Sequence, residues 1–259
     1  MRASGVAAEM VPVAGPGASL KNPLDPARRI RAVLFDLDGT LYHQRRMRIL
    51  MALELSTLLV TRPWSARRRL RALASYRKAQ EALRLSPGDA ITPQTQLDLA
   101  AERAGVPAQE IEALVNEWMQ ERPLKYLPLC RADGLSALLS LLDYEGLTMG
   151  VLSDYPADAK LRALGIADRF SVVLCATDPD VGALKPSPRG FLRACERWRI
   201  QPAEVLFVGD RLEVDAHGAS AAGMPCVIVG HAARTAVDPP GVLFLPSLER
   251  LRRVLVEGC

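Results

Sequence analysis

The run Val33-Leu34-Phe35-Asp36-Leu37-Asp38-Gly39-Thr40-Leu41 changes character halfway along: three apolar residues, two carboxylates one residue apart, then a turn-forming glycine. An unbroken apolar stretch such as residues 33–35 is what a central parallel strand needs when helices cover both of its faces. Open α/β sheets bind ligands beyond the carboxyl ends of such strands. Asp36 and Asp38 therefore stand where chemistry is expected.

Two later segments repeat this grammar. Met149-Gly150-Val151-Leu152 runs into Ser153-Asp154, and Val205-Leu206-Phe207-Val208 runs into Gly209-Asp210. If the three strands are parallel neighbours, Asp36, Ser153 and Asp210 meet along one sheet edge from distant positions in the chain. A buried strand ending in paired carboxylates suits metal-dependent phosphoryl transfer to an aspartate.

The segments between these strands assign the rest of the fold. Residues 43–127 read as helical almost throughout. Met47, Leu50, Met51, Leu55, Leu58 and Leu59 follow helical spacing, and a second helix is expected over 65–84 with Ser65 as its N-cap. Thr92-Pro93 starts a helix that Gly105 ends, and residues 107–122 carry Ile111, Leu114, Val115 and Trp118 on one face. Pro123 and Pro128 flank the return to the core. From residue 129 onward helices and strands alternate: helices over 134–144, 157–164, 188–199 and 214–222 and from Leu248, strands over 147–152, 171–175, 226–229 and 242–245 and one ending at Val208. That alternation implies parallel βαβ units. The expected class is α/β: a Rossmann-like three-layer α/β/α core with a parallel sheet, formed by residues 29–42 and 128–259, with an inserted α-helical domain over 43–127.

Composition narrows the function classes. The 259 residues, 49% hydrophobic and 24% charged, suit a soluble globular chain with a sizeable core. No apolar stretch approaches the roughly 18–20 residues that span a bilayer, so no membrane span is expected. Residues 1–28, rich in Ala, Gly, Pro and Val without periodicity, lack the apolar run of a secretory signal and read as a disordered leader or a misassigned start. Five dispersed cysteines without a CxxC pair argue against a disulfide framework or a zinc site and favour the reducing cytoplasm. The net charge of +4 is unevenly placed, with Arg45, Arg46, Arg48, Arg62, Arg67, Arg68, Arg69 and Arg71 crowded together. They read as a solvated helix face, or as a basic surface for an anionic substrate or lipid headgroup. No nucleic-acid motif accompanies them.

Four motifs stand in order: Asp36-Leu37-Asp38-Gly39-Thr40-Leu41; Ser153; Lys185 within Gly182-Ala183-Leu184-Lys185-Pro186-Ser187-Pro188; and Gly209-Asp210 with Asp215 five residues on. As an ordered set over residues 30–230 they resemble the haloacid dehalogenase-like (HAD) hydrolase superfamily, and within it the phosphoglycolate phosphatase-like members with a helical cap. The resemblance implies a phosphatase acting on a small phosphorylated metabolite. Asp36 would be the nucleophile that forms an aspartyl-phosphate. Asp38 would act first as acid and then as base, its backbone carbonyl binding the metal. Ser153 and Lys185 would bind the phosphate, Lys185 also serving the nucleophile. Asp36, Asp38, Asp210 and Asp215 would form the metal site, with Asp215 acting through water or by orienting the lysine. Hard oxygen ligands without nearby His or Cys point to Mg²⁺.

Many relatives carry Asn after the motif serine. Asp154 stands here instead, a carboxylate that is costly near a phosphate unless it faces away. The superfamily's dehalogenases need neither metal nor an acid at position 38, so Asp38, Asp210 and Asp215 together argue against dehalogenation. A phosphomutase would share every catalytic residue. A binding or regulatory protein using the arginine-rich cap is the alternative from another class, and it is disfavoured because no catalytic residue is missing.

Overall fold

The computed structural model describes residues 29–61, 63–85, 90–230 and 241–257; the expected leader, Arg62 and Cys259 lie outside them. Six strands form one sheet: β1 (Ala32–Phe35), β2 (Thr148–Ser153), β3 (Val172–Cys175), β4 (Val205–Gly209), β5 (Cys226–Val229) and β6 (Val242–Leu245), in the order β3-β2-β1-β4-β5-β6. Every ladder is parallel. Successive residues of β1 point to opposite faces. Val33 and Phe35 join an apolar cluster with Met149, Val151, Leu206 and Val208, while Ala32 and Leu34 join another with Phe191, Val205 and Phe207. This two-sided burial is why β1 had to be wholly apolar.

Between β1 and β2 come α1 (Gln44–Thr61), α2 (Pro63–Leu85), α3 (Pro93–Ala104), α4 (Ala108–Val115), a π-helical stretch (Asn116–Glu121), a 3₁₀ turn (Arg122–Tyr126), α5 (Leu127–Cys130) and α6 (Leu135–Tyr144). The rest of the chain supplies α7 (Asp158–Ala163), α8 (Arg189–Trp198), α9 (His217–Ala221) and α10 (Leu248–Glu257). Helices α5, α6, α7 and α10 cover one face of the sheet, while α8 and α9 cover the other, which makes three layers. The helical insert has its own apolar cluster, built on Ala72, Tyr76, Ala79, Leu97, Ile111, Leu114 and Trp118.

Thr92 caps α3 as expected, its hydroxyl accepting from the Thr95 amide, and Gly105 ends that helix at a φ of 66°. Three expectations need correcting. Helix α2 starts at Pro63, so Ser65 lies inside it and not at its cap; proline is well suited to a first helical turn. The helix expected over 107–122 ends as α-helix at Val115 and widens into the π-helical stretch, because Pro123 lacks the amide and the room to continue a regular ladder. The helix expected over 214–222 begins instead as a π-helical turn, Leu212–Ala216.

Most of the described arginines in the crowded region are exposed. Arg68 and Arg69 pair with Glu110 (2.5 Å) and Glu117 (3.1 Å), and Arg67 lies over the Trp64 ring. No helix among the described residues is long and apolar enough to cross a membrane.

Candidate active site

The strand order reverses direction at β1, and the carboxyl ends flanking that switch point are where an α/β sheet opens a crevice. Phe35 is level with Val151 on one side and Val208 on the other, so the chain leaves β1, β2 and β4 at nearly the same height. The amide of Asp36 donates to Val208 O (2.8 Å) and prolongs the β1–β4 ladder by one residue.

Asp36 is held at both oxygens. Thr40 Oγ1 donates to Oδ2 (3.0 Å) and Lys185 Nζ to Oδ1 (2.5 Å). Lys185 also donates to Asp215 Oδ1 (2.7 Å), and its side chain is only 4% exposed. Burial pushes the Asp36 carboxyl up to about 6, with Lys185 opposing and Asp215 adding to the rise. For Lys185 burial pulls the other way, but Asp215 and Asp36 outweigh it and raise its pKa, so it stays an ammonium. Asp215 Oδ2 accepts the amides of Asp210 (3.1 Å) and Arg211 (3.0 Å). The π-helical turn after β4 is thus wound around the Asp215 carboxylate.

Asp210 has no such support. Burial, then Asp36, then Asp215 push its carboxyl up to about 8, and no side-chain hydrogen bond or ion pair reaches it among the described residues. Gly39 makes the space for it. At a φ of 115°, a Cβ there would lie 2.1 Å from Asp210 Oδ2. Asp36, Asp210 and Asp215 bring carboxylate oxygens within 4.8 Å of one another; the Asp38 carboxylate is not part of that group.

Asp38 instead faces α7. Lys160 Nζ donates to both of its oxygens (2.6 and 2.9 Å), and Tyr42 OH donates to Oδ1. Burial works against ionisation of Asp38, but the Lys160 charge and these hydrogen bonds prevail and hold its pKa below the usual value. Tyr42, raised by burial and by Asp38, remains a phenol. Sequence reasoning missed Lys160. Its only signal was a position seven residues after Ser153 on a short helix, which does not set it apart from a surface lysine.

Ser153 ends β2, fully buried, its hydroxyl accepting the Tyr155 amide (3.2 Å). Asp154 does not face away from the site. Its Oδ1 accepts the Lys185 amide (3.2 Å), and its Oδ2 accepts from Arg84 (2.9 Å) at the end of α2. Arg84 also donates to the Lys185 carbonyl and pairs with Glu81. A cation of the helical insert therefore neutralises the carboxylate that looked costly in the sequence, and Arg84 too was missed. Tyr155 OH reaches up to Gln80 Oε1 of α2 (2.5 Å).

These groups line two adjoining cavities. A charged one of 140 Å³ contains Asp36, Asp38, Lys185, Asp210, Asp215, Arg48 and Arg84. A larger one of 540 Å³ runs from Asp38 and Lys160 up between α1, α2 and the π-helical stretch.

A family model described as haloacid dehalogenase-like hydrolase matches residues 30–223. The N-acetylmuramic acid 6-phosphate phosphatase of Pseudomonas aeruginosa is 30% identical over 71% of this chain and 75% of its own. The phosphoglycolate phosphatase of Shigella boydii is 31% identical over 76% of this chain and 80% of its own. Among solved structures, a HAD phosphatase from Thermococcus onnurineus superposes with a TM-score of 0.60 at 25% identity, covering 87% of this chain and 98% of that one.

Proposed function

The chain belongs to the haloacid dehalogenase-like hydrolases and is a phosphoric monoester hydrolase, and from that premise we propose a Mg²⁺-dependent phosphatase of a small phosphorylated metabolite that works through a phosphorylated Asp36. The observation that carries this reading is the pair of carboxylates after β1, held in opposite states of readiness. Asp36 is fixed by Lys185 and Thr40 with its carboxylate at the strand end, and Asp38 is fixed by Lys160 two residues on. The phosphatases named among the relatives support it.

Asp36 attacks phosphorus, its new O–P bond replacing the bond to the ester oxygen. The departing oxygen takes a proton from Asp38, which draws it from the Lys160 ammonium against both of its oxygens. Asp38, anionic again, takes a proton from water as that water attacks phosphorus and passes it to Lys160, which restores the starting ion pair. The Asp36–phosphorus bond breaks and inorganic phosphate leaves. Lys185 stays charged throughout and compensates Asp36 and the phosphoryl oxygens, with Ser153 at the neighbouring strand end as a further phosphate contact.

The residues fit a hard cation. Three carboxylates converge, and that of Asp210 is partly buried with no side-chain donor among the described residues; the backbone carbonyl of Asp38 would complete the set. When bound, Mg²⁺ supplies charge neutralisation between Asp36 and the incoming phosphate. Residues 43–127 serve as a cap that sets specificity and excludes water. The free, buried cysteines among the described residues suit a cytoplasmic enzyme.

The test is phosphate release from a panel of phosphorylated metabolites by the purified protein. Activity should vanish with EDTA and return with Mg²⁺. Asp36→Asn should abolish turnover while circular dichroism shows an intact fold. Substantial turnover by the folded variant would remove Asp36 from the mechanism.

A further inference from the structure

We propose that the alcohol portion of the substrate is a bulky apolar body lodged in the 540 Å³ cavity, so that the enzyme takes amphiphilic phosphate monoesters in preference to small polar ones; this rests on the phosphatase reading above. The division of the interior into two compartments points to it. The 140 Å³ compartment holds the reacting carboxylates and Lys185 and suits a phosphoryl group. The larger one opens directly from Asp38, the group assigned to the departing oxygen, and its volume is that of a pocket for a drug-sized molecule.

The walls differ as the volumes do. Away from the seam the larger compartment is lined by Met51 and Leu55 of α1, Leu73 of α2, and Trp118 and Met119 of the π-helical stretch. Methionine adapts its shape to an apolar occupant. Of its charged residues, Asp38, Arg48 and Arg211 line both compartments, Lys160 is engaged by Asp38 and Glu81 by Arg84, and Arg77 of α2 adds a cation to the wall of the larger one. Gln80 also lines both. Its Oε1 accepts from Tyr155 while its buried Nε2 has no partner among the described residues, which leaves a donor for an oxygen close to the ester linkage. A two-carbon acid would leave most of the large compartment as water against Met, Leu and Trp. An apolar alcohol would displace that water and gain the transfer free energy of its burial.

The experiment measures kcat/KM with Mg²⁺ for ethyl, butyl, hexyl, octyl and 2-naphthyl phosphate beside phosphoglycolate and glycerol 3-phosphate. The value should climb by up to about fourfold per buried methylene, with octyl phosphate exceeding ethyl phosphate by about a hundredfold or more. Leu73→Trp, which fills the cavity, and Leu55→Gln, which makes its wall polar, should each cut the octyl-to-ethyl ratio at least about tenfold. A series that is flat, or that falls with chain length, overturns the inference and leaves the phosphatase reading standing. Release from none of the compounds overturns both. Because the wild-type series decides the matter alone, a variant that fails to fold does not protect the proposal.

Discussion

Replacing Arg84 by methionine keeps an unbranched side chain at the seam between α2 and the strand ends but removes its charge. The Arg84 and Asp154 side chains are 6% and 12% exposed, 2.9 Å apart, and Arg84 also holds the Lys185 carbonyl. Breaking one partner of a buried pair costs about 3–5 kcal/mol. Here Asp154 keeps the Lys185 amide and the attraction of the Lys185 ammonium, which reduces the expected cost to about 2–3 kcal/mol. At roughly 2–4 °C per kcal/mol for a domain of this size, the melting temperature should fall by about 4–12 °C. Asp154→Asn should cost less, about 1 kcal/mol, because the amide oxygen still accepts from Lys185 and Arg84 retains Glu81 and the Lys185 carbonyl. Melts of the wild type, both single variants and the double variant form a cycle. The double variant should be less damaged than the summed singles by about 1–2 kcal/mol. Strict additivity, or an Arg84→Met protein that melts with the wild type, would show that this contact does not join the insert to the core.

Lys160→Met should lower kcat by about a hundredfold or more, and more for alkyl phosphates than for 4-nitrophenyl phosphate, whose leaving group needs no proton; an equal loss on both would refute the proton route through Asp38. Gly39→Ala should displace the Asp210 carboxylate and raise the Mg²⁺ concentration for half-maximal activity at least about tenfold at an unchanged circular dichroism spectrum, since the new methyl would start 2.1 Å from that carboxylate; an unchanged Mg²⁺ titration is the contrary result. Cys195, pushed up to about 11 by burial and then by Glu196, has a folded pKa above the ordinary thiol value of about 8.5. Its contribution to stability is therefore present below that value and lost as pH rises towards 11. Cys195→Ala should flatten the fall of melting temperature between pH 8.5 and 10.5, and an identical slope would contradict the assignment.

The sheet was legible because β1, β2 and β4 are buried on both faces and must be apolar until they end, so each polar residue at a strand end announces itself. Asp36, Asp38, Ser153 and Asp210 could be chosen from that grammar, and Lys185 and Asp215 only from the ordered motifs that resemble the superfamily; the structure gathers all six at the switch point. Arg84, Lys160 and Gln80 could not. Each earns its place through a partner remote in sequence, and that meeting depends on how α2 lies across the strand ends. In the sequence, Arg84 looks like any other cation of an arginine-rich helix. Asp154 marked the problem without marking its solution. The break at Val115 was hidden for a similar reason: the apolar spacing of residues 111–118 persists while the backbone hydrogen bonds readjust ahead of Pro123.

The strand that is central in space comes first in the chain. Phe35 finds its neighbours at Val151 and Val208, and at about 5–20 residues per second a ribosome needs roughly 9–35 s to travel from residue 35 to residue 208. For that interval the nascent strand carries its apolar side chains without β4 beside it, while the helical insert can already gather around a cluster of its own. Asp210 and Asp215 emerge later still. A nascent chain therefore displays Asp36 long before it has the carboxylates and the strand that come to stand beside it, and a product truncated ahead of β4 should present the quality-control machinery with an uncovered apolar strand and no carboxylate cluster.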